Sequence, residues 1–189
     1  MTVSEIYSGI ISHMIKGMMM HENLANYYDF LGLGGYKKCH EYHFMEETAN
    51  FRKLTSYYIC HHNNLIPDTD ITPVQVIPDS WYQVDRFDVD IATKKSAVKT
   101  GLTIWHRWEK ETQQLYEQMY QEMMNGGYVA DALNFKKYVC DVTEELKKVE
   151  KYMLNKLAVD FDLAYIMEEQ KPKKEKYKCK LKDIGDRYD

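Results

Sequence analysis

Chain breakers are scarce in this sequence: its 189 residues hold only four prolines and nine glycines. A sandwich or barrel needs turns far more often than that, so an all-β fold is excluded and long uninterrupted helices are favoured. Positive charge is not in surplus, the formal net charge being −4, and without a basic patch or stripe no nucleic-acid partner is expected. The cysteines, Cys39, Cys60, Cys140 and Cys179, form no C-x-x-C pair, which points to reduced thiols in a cytoplasm. Long apolar runs are missing too. The longest near the start is broken by His13, Lys16, His21 and Glu22, short of the roughly 20 residues that span a bilayer. With no apolar signal segment read there either, the expectation is a soluble cytoplasmic protein without a membrane partner, folded as one domain.

What the sequence does have is helical periodicity. From Ser4 to Phe30, apolar residues recur at Tyr7, Ile10, Ile11, Met14, Met18, His21, Leu24 and Tyr28, the spacing of one helix face. Leu-Gly-Leu-Gly-Gly at 31–35 ends that helix and permits only a tight antiparallel return. A second helix is expected from Tyr36 to His62, with Tyr36, His43, Glu47, Asn50, Leu54 and Tyr57 on one stripe. Residues 65–90 contain Pro67, Pro73 and Pro78 among β-branched residues and read as an extended crossing segment without helical period. A connection of that length joins bundle neighbours that run the same way. The third helix is expected over Ile91–Met124, with Ile104, Trp105, Trp108, Leu115 and Met119 inward around Glu109, and is closed by Asn125-Gly126-Gly127. The fourth runs from Tyr128 to Leu157 on a stripe of Leu133, Phe135, Tyr138, Val142, Leu146, Val149 and Met153. A short fifth helix is read at Val159–Glu169, and residues 170–189 form a lysine-rich tail beyond the 1–169 bundle. Helices of this length pack as a slender, aligned, up-down bundle with one long crossover between the second and third.

An ionised carboxylate on an apolar stripe is costly unless it is paired or bound to metal. Acids interrupt the stripes at Glu46 and Glu47 on the second helix, Glu109 on the third, and Asp141, Glu144 and Glu145 on the fourth. All lie near mid-helix, and in an up-down bundle such positions meet at one level. A cluster of this kind suits hard ions such as iron, manganese or magnesium. The plainer alternative gives each acid an ordinary salt bridge with Lys148, Arg52 or Lys110.

The chain resembles the ferritin family over roughly residues 5–165, on features that stand in the same order and spacing. These are Asn-Tyr-Tyr-Asp before the glycine turn, then Tyr-Lys-Lys-Cys-His-Glu-Tyr-His-Phe-Met-Glu-Glu at 36–47. Further on come Trp-Glu-Lys at 108–110 and Phe-Lys-Lys-Tyr-Val-Cys-Asp-Val-Thr-Glu-Glu at 135–145. In that family a glutamate of the first helix, a Glu-x-x-His of the second, a glutamate of the third and a Gln or Glu of the fourth hold two irons. The resemblance implies metal roles for Glu47 and Glu109. Asn50 replaces the histidine, and Met14 and Val142 fall at the other two positions. Glu46, Asp141, Glu144 and Glu145 correspond to the additional iron site of bacterial-type ferritins. His21, two turns from Met14 on the same stripe, is the one nitrogen placed to join them; otherwise it is a hydrogen-bonded core residue. His40 and His43 read as packing, the methionine runs as flexible core filling, and the tyrosines as interior and contact residues.

These residues support two functions. In the first, the resemblance implies a ferritin-like iron-binding and storage protein that oxidises Fe(II) with dioxygen or peroxide at these carboxylates. The ferric product would pass to a cavity enclosed by many subunits. In the second, Met14, Asn50 and Val142 complete a core, and the chain is a structural or assembly protein that has lost the di-iron centre. A carboxylate-bridged oxygenase needs paired Glu-x-x-His motifs, which are absent. Either way the long amphipathic helices and many tyrosines lead us to expect a homo-oligomer, and the resemblance a hollow shell.

Overall fold

In the computed structural model, which describes residues 1–66 and 78–162, four long helices make up most of the described chain. The first, α1 (Val3–Phe30), starts at a capping box. Thr2 Oγ1 accepts from the Glu5 backbone N–H at 3.3 Å while the Glu5 carboxylate accepts from the Thr2 N–H at 2.7 Å, so two of the otherwise unpaired donors at the helix start are satisfied together. It ends where Gly32 takes φ +72°, a conformation open to glycine without steric cost. Leu33 N–H then donates to Tyr28 O at 2.8 Å, and α2 (Gly34–His62) returns antiparallel, the last two glycines of the turn already lying in it. Asp90 caps α3 (Ile91–Asn125) by accepting from the Thr93 N–H at 2.6 Å. Gly127, at φ +78°, turns the chain into α4 (Val129–Ala158).

Between α2 and α3, residues 67–77, including Pro67 and Pro73, lie outside the described residues. The remainder of the crossover, residues 78–90, is not wholly extended as the sequence leads one to expect. Asp79–Gln83 wind into a short 3-10 turn after Pro78, because Trp81 docks its ring flat on Tyr27, with centroids 3.7 Å apart and planes at 11°. At the other end, Val159–Asp162 form a turn with left-handed Asp160 and Phe161 rather than the start of a fifth helix. The rest of that expected helix and the lysine-rich tail lie outside the described residues.

The core has two apolar clusters at opposite ends. One joins the end of α1 (Leu24, Tyr28), the start of α2 (Tyr36), the start of α3 (Val98, Leu102, Trp105) and the end of α4 (Val149). The other joins the start of α1 (Ile6, Ile10, Met14) and the ends of α2 (Leu54, Tyr58) and α3 (Met119, Met123) with the start of α4 (Phe135). Hence α2 and α3 run the same way and the remaining sequential neighbours are antiparallel, the topology that one long crossover dictates. Leu133 departs from the expected stripe: it is 64% exposed, and Ala132 faces inward in its place, while Phe135 is buried as expected.

Gly101 shows how closely α1 and α3 approach. A Cβ there would stand 1.9 Å from Tyr28 Oη and 2.9 Å from Cζ. The ring has no room to yield, because it is fully buried between Tyr36 and His40 at centroid distances of 5.1 and 5.4 Å. Alanine in a helix gains about 1 kcal/mol over glycine, whereas overpacking costs about 1–3 kcal/mol. Gly101→Ala is therefore expected to lower stability in urea unfolding. Adding Tyr28→Phe, which removes the clashing oxygen and a weak 3.5 Å bond to Ala97 O, is expected to recover part of the loss.

Candidate metal centre

Between the two apolar clusters the bundle opens into a polar cavity of about 190 Å³. α2 contributes His43, Glu46, Glu47 and Asn50; α3 contributes Glu109, Thr112 and Tyr116; α4 contributes Tyr138, Asp141, Val142, Glu144, Glu145 and Lys148. The helices bring these side chains together because residues three and four apart share a helix face and the three segments lie at one depth in the bundle.

The six acids flagged in the sequence, Glu46, Glu47, Glu109, Asp141, Glu144 and Glu145, all line this cavity. They differ in environment. Glu109 is buried, and its Oε1 accepts a 2.8 Å hydrogen bond from Trp105 Nε1 one turn earlier. Glu47 Oε2 is buried without a hydrogen-bond partner, as is the Tyr138 hydroxyl across the cavity. Asp141 and Glu144 are at the exposed rim, and Glu145 pairs with Lys148.

Burial, reinforced by Glu109, Glu46 and Glu145, pushes Glu47 up to about 8. Glu109 is raised to about 7, chiefly by burial, with Glu145 and Glu46 adding to it and the Trp105 bond and Lys148 opposing it. Asp141 is raised by desolvation and by Glu46, Glu144 and Glu145. This is the pattern of acids crowded in a poorly solvated space, where two carboxylates share a site and resist ionising together. A cation relieves both causes at once.

His21 is placed elsewhere. Its Nδ1 shares a 2.9 Å hydrogen bond with His40 Nδ1, both rings being buried, and it does not line the cavity. Burial, then the neighbouring histidines, holds both imidazoles far below their usual pKa, so one donates a proton and the other accepts it. Met14 is buried in the apolar cluster, while Asn50 and Val142 face the cavity. Sequence periodicity assigns His43 to packing, yet it lines the cavity 3.8 Å from Glu46. Its place one turn before Glu46 and Glu47 was the available signal. Tyr138 and Lys148 also belong to the cavity wall; the sequence offered the first as a stripe residue and the second as a salt-bridge partner for an acid, and nothing in the spacing pointed to a cavity.

An oxygen-rich set with one imidazole at its edge suits a hard cation. The unpartnered Glu47 oxygen and Tyr138 hydroxyl mark where such an ion would find donors, since buried polar groups are otherwise almost always paired.

Among solved structures, this fold is similar to an open pore ferritin from the hyperthermophilic archaeon Archaeoglobus fulgidus. The TM-score is 0.74 at 13% sequence identity, over 90% of this chain and 96% of that one. It is similar to the same degree to a closed form of that ferritin engineered by mutagenesis, with TM-score 0.74 and 13% identity over 92% of this chain and 98% of that one. At such identity the likeness is one of fold, and it places the chain among ferritin-like four-helix bundles. No family model and no curated protein matches the sequence.

Proposed function

We propose that the protein binds iron in the mid-bundle carboxylate cavity and stores it as a ferritin-like protein. The observation that carries this reading is the meeting of carboxylates from three helices around a buried, unpaired Glu47 oxygen. Glu47 and Glu109 are the principal ligands, and Glu46, Asp141, Glu144 and Glu145 receive the ion from solvent and pass it inward. Trp105 fixes one oxygen of Glu109 and leaves the other for the ion. With their titration raised to about 8 and 7, these two acids hold protons near neutrality, so iron entry releases protons to solvent.

The test is a titration with Fe(II), anaerobic and then aerobic. Iron that stays with the protein through gel filtration, proton release on binding, and oxidation faster than in protein-free buffer are expected. Neither retention nor oxidation above the blank would refute the proposal.

A second reading, a silent ferritin-like scaffold, is favoured by Lys148, whose ammonium already pairs with Glu145 at the cavity wall, and by the apolar Val142 beside it. Self-association fits both readings. Phe87 and Tyr82, 96% and 76% exposed, are the rings such a contact would cover. Among the described residues no helix is long and apolar enough to cross a membrane. Cys39, Cys60 and Cys140 are free thiols, which supports a cytoplasmic location. A native mass with the metal content of the particles separates storage from scaffold.

A further inference from the structure

We propose a second metal site, for a borderline divalent transition ion of the zinc class, at the end of the bundle where His61 and His62 of α2 face Asp131 of α4. One ligand atom from each of the three lies within 4.8 Å of the others. The site is independent of the carboxylate cavity: His61 follows Glu47 by fourteen residues, about 21 Å along a helix rising 1.5 Å per residue.

Its parts are already oriented. Asp131, in the first turn of α4 and 2% exposed, accepts at Oδ1 from Tyr7 Oη at 2.8 Å. The same oxygen is 2.8 Å from His62 Nε2. Tyr7 thus fixes the carboxylate from behind, as the outer partners of metal ligands do. His62 is held against Tyr58 and Tyr7, with centroids at 4.8 and 6.1 Å. A plain hydrogen-bonded closure of the bundle end would explain Tyr7, Asp131 and His62. It would not explain His61, an exposed third donor stacked on Tyr57 at 5.2 Å and brought to the same point.

Two imidazoles and one carboxylate are the donors that zinc and its neighbours prefer, whereas magnesium and calcium favour all-oxygen sets. With metal–ligand distances of about 2.0–2.2 Å, tetrahedral donors stand about 3.3–3.6 Å apart. The group must therefore close by little more than an ångström, a shift left to the exposed His61 on the last turn of α2, whose ring rests against Tyr57 and His62. α2 ends at Asn63 in the left-handed conformation, and the unpaired carbonyls of a helix C-terminus favour a cation there. Three protein ligands leave the fourth position to water. The bound ion joins the end of α2 to the start of α4.

The experiment titrates the full-length protein with Zn(II) by calorimetry, and with Co(II) by visible absorption, in parallel with a Glu47→Gln/Glu109→Gln variant. One ion per chain, binding unchanged in that variant, a four-coordinate Co(II) spectrum and a Zn(II)-dependent rise in Tm are expected. In His61→Ala, whose removed ring is exposed and whose metal-free Tm should equal that of the wild type, affinity is expected to fall about 100-fold or more, beyond the 10–100-fold that losing an outer partner costs. The Tm rise should vanish with it. Zinc bound equally well by His61→Ala, zinc binding lost with Glu47 and Glu109, or no zinc bound at all would overturn the proposal. Failure of iron to bind the cavity would leave it untouched.

Discussion

Glu47→Gln combined with Glu109→Gln is expected to strip the mid-bundle cavity of iron while leaving the bundle folded. Glutamine keeps the shape of each side chain, and at Glu109 it keeps an oxygen to accept the 2.8 Å bond from Trp105 Nε1. What it removes is the charge and the second hard oxygen on each of the two most enclosed acids. Losing an outer partner of a metal ligand already costs 10–100-fold in affinity, so removing two ligands should cost on the order of a thousandfold or more. Iron per chain after gel filtration is the measurement, with Glu144→Gln as the comparison. Glu144 is exposed at the rim, and its loss should slow loading more than it lowers retention. If the double variant holds as much iron as the wild type, the ion does not sit between α2 and α3.

How much of this was legible in the sequence depends on the kind of signal. The helix limits were, because the chain changes direction at residues that leave little choice. Gly32 and Gly127 take positive φ, and Pro78 precedes the 3-10 turn of the crossover. The acids were legible because a carboxylate on an apolar stripe needs a physical reason. Helix rotation was harder to read. Leu133 lies on the edge of the α4 stripe, and a small turn of the helix exposes it while drawing in Ala132. The same uncertainty hid His43 and Tyr138, whose spacing allowed packing as readily as a place in the cavity wall. His61 and Asp131 carried no joint signal. They are seventy residues apart, and only the lateral alignment of α2 and α4 brings them together.

The stability of the metal-free protein is expected to peak near pH 6.5 and to fall on both sides, for two opposite reasons. Glu47 and Glu109 titrate near 8 and 7 in the folded chain and near 4.5 when unfolded. Between those values the folded state holds more protons, so these acids stabilise fully below pH 4.5 and that contribution is lost as pH rises through 7 and 8. His13, His21 and His40 act the other way. Burial, aided by Lys16 at His13 and by neighbouring histidines at the other two, holds His13 at about 4, His40 at about 3 and His21 well below its usual range. Their contribution is present above pH 6.5, where the unfolded chain is also neutral, and is lost as pH falls. Three histidines outweigh two glutamates between pH 4.5 and 6.5, and above 6.5 the glutamates act alone. At about 1.4 kcal/mol per unit, the alkaline limb to pH 8 amounts to about 3 kcal/mol. With about 2–4 °C per kcal/mol for a chain of this size, Tm should drop by roughly 6–12 °C. The Glu47→Gln/Glu109→Gln variant is expected to flatten that limb and keep the acid one, as read by thermal scans from pH 5 to 8.5. An alkaline limb of unchanged steepness in the variant would mean that these two carboxyls ionise in the folded cavity as freely as in water. Iron should reverse the wild-type trend, because it binds the deprotonated acids and so stabilises the folded chain most where the empty cavity is least stable.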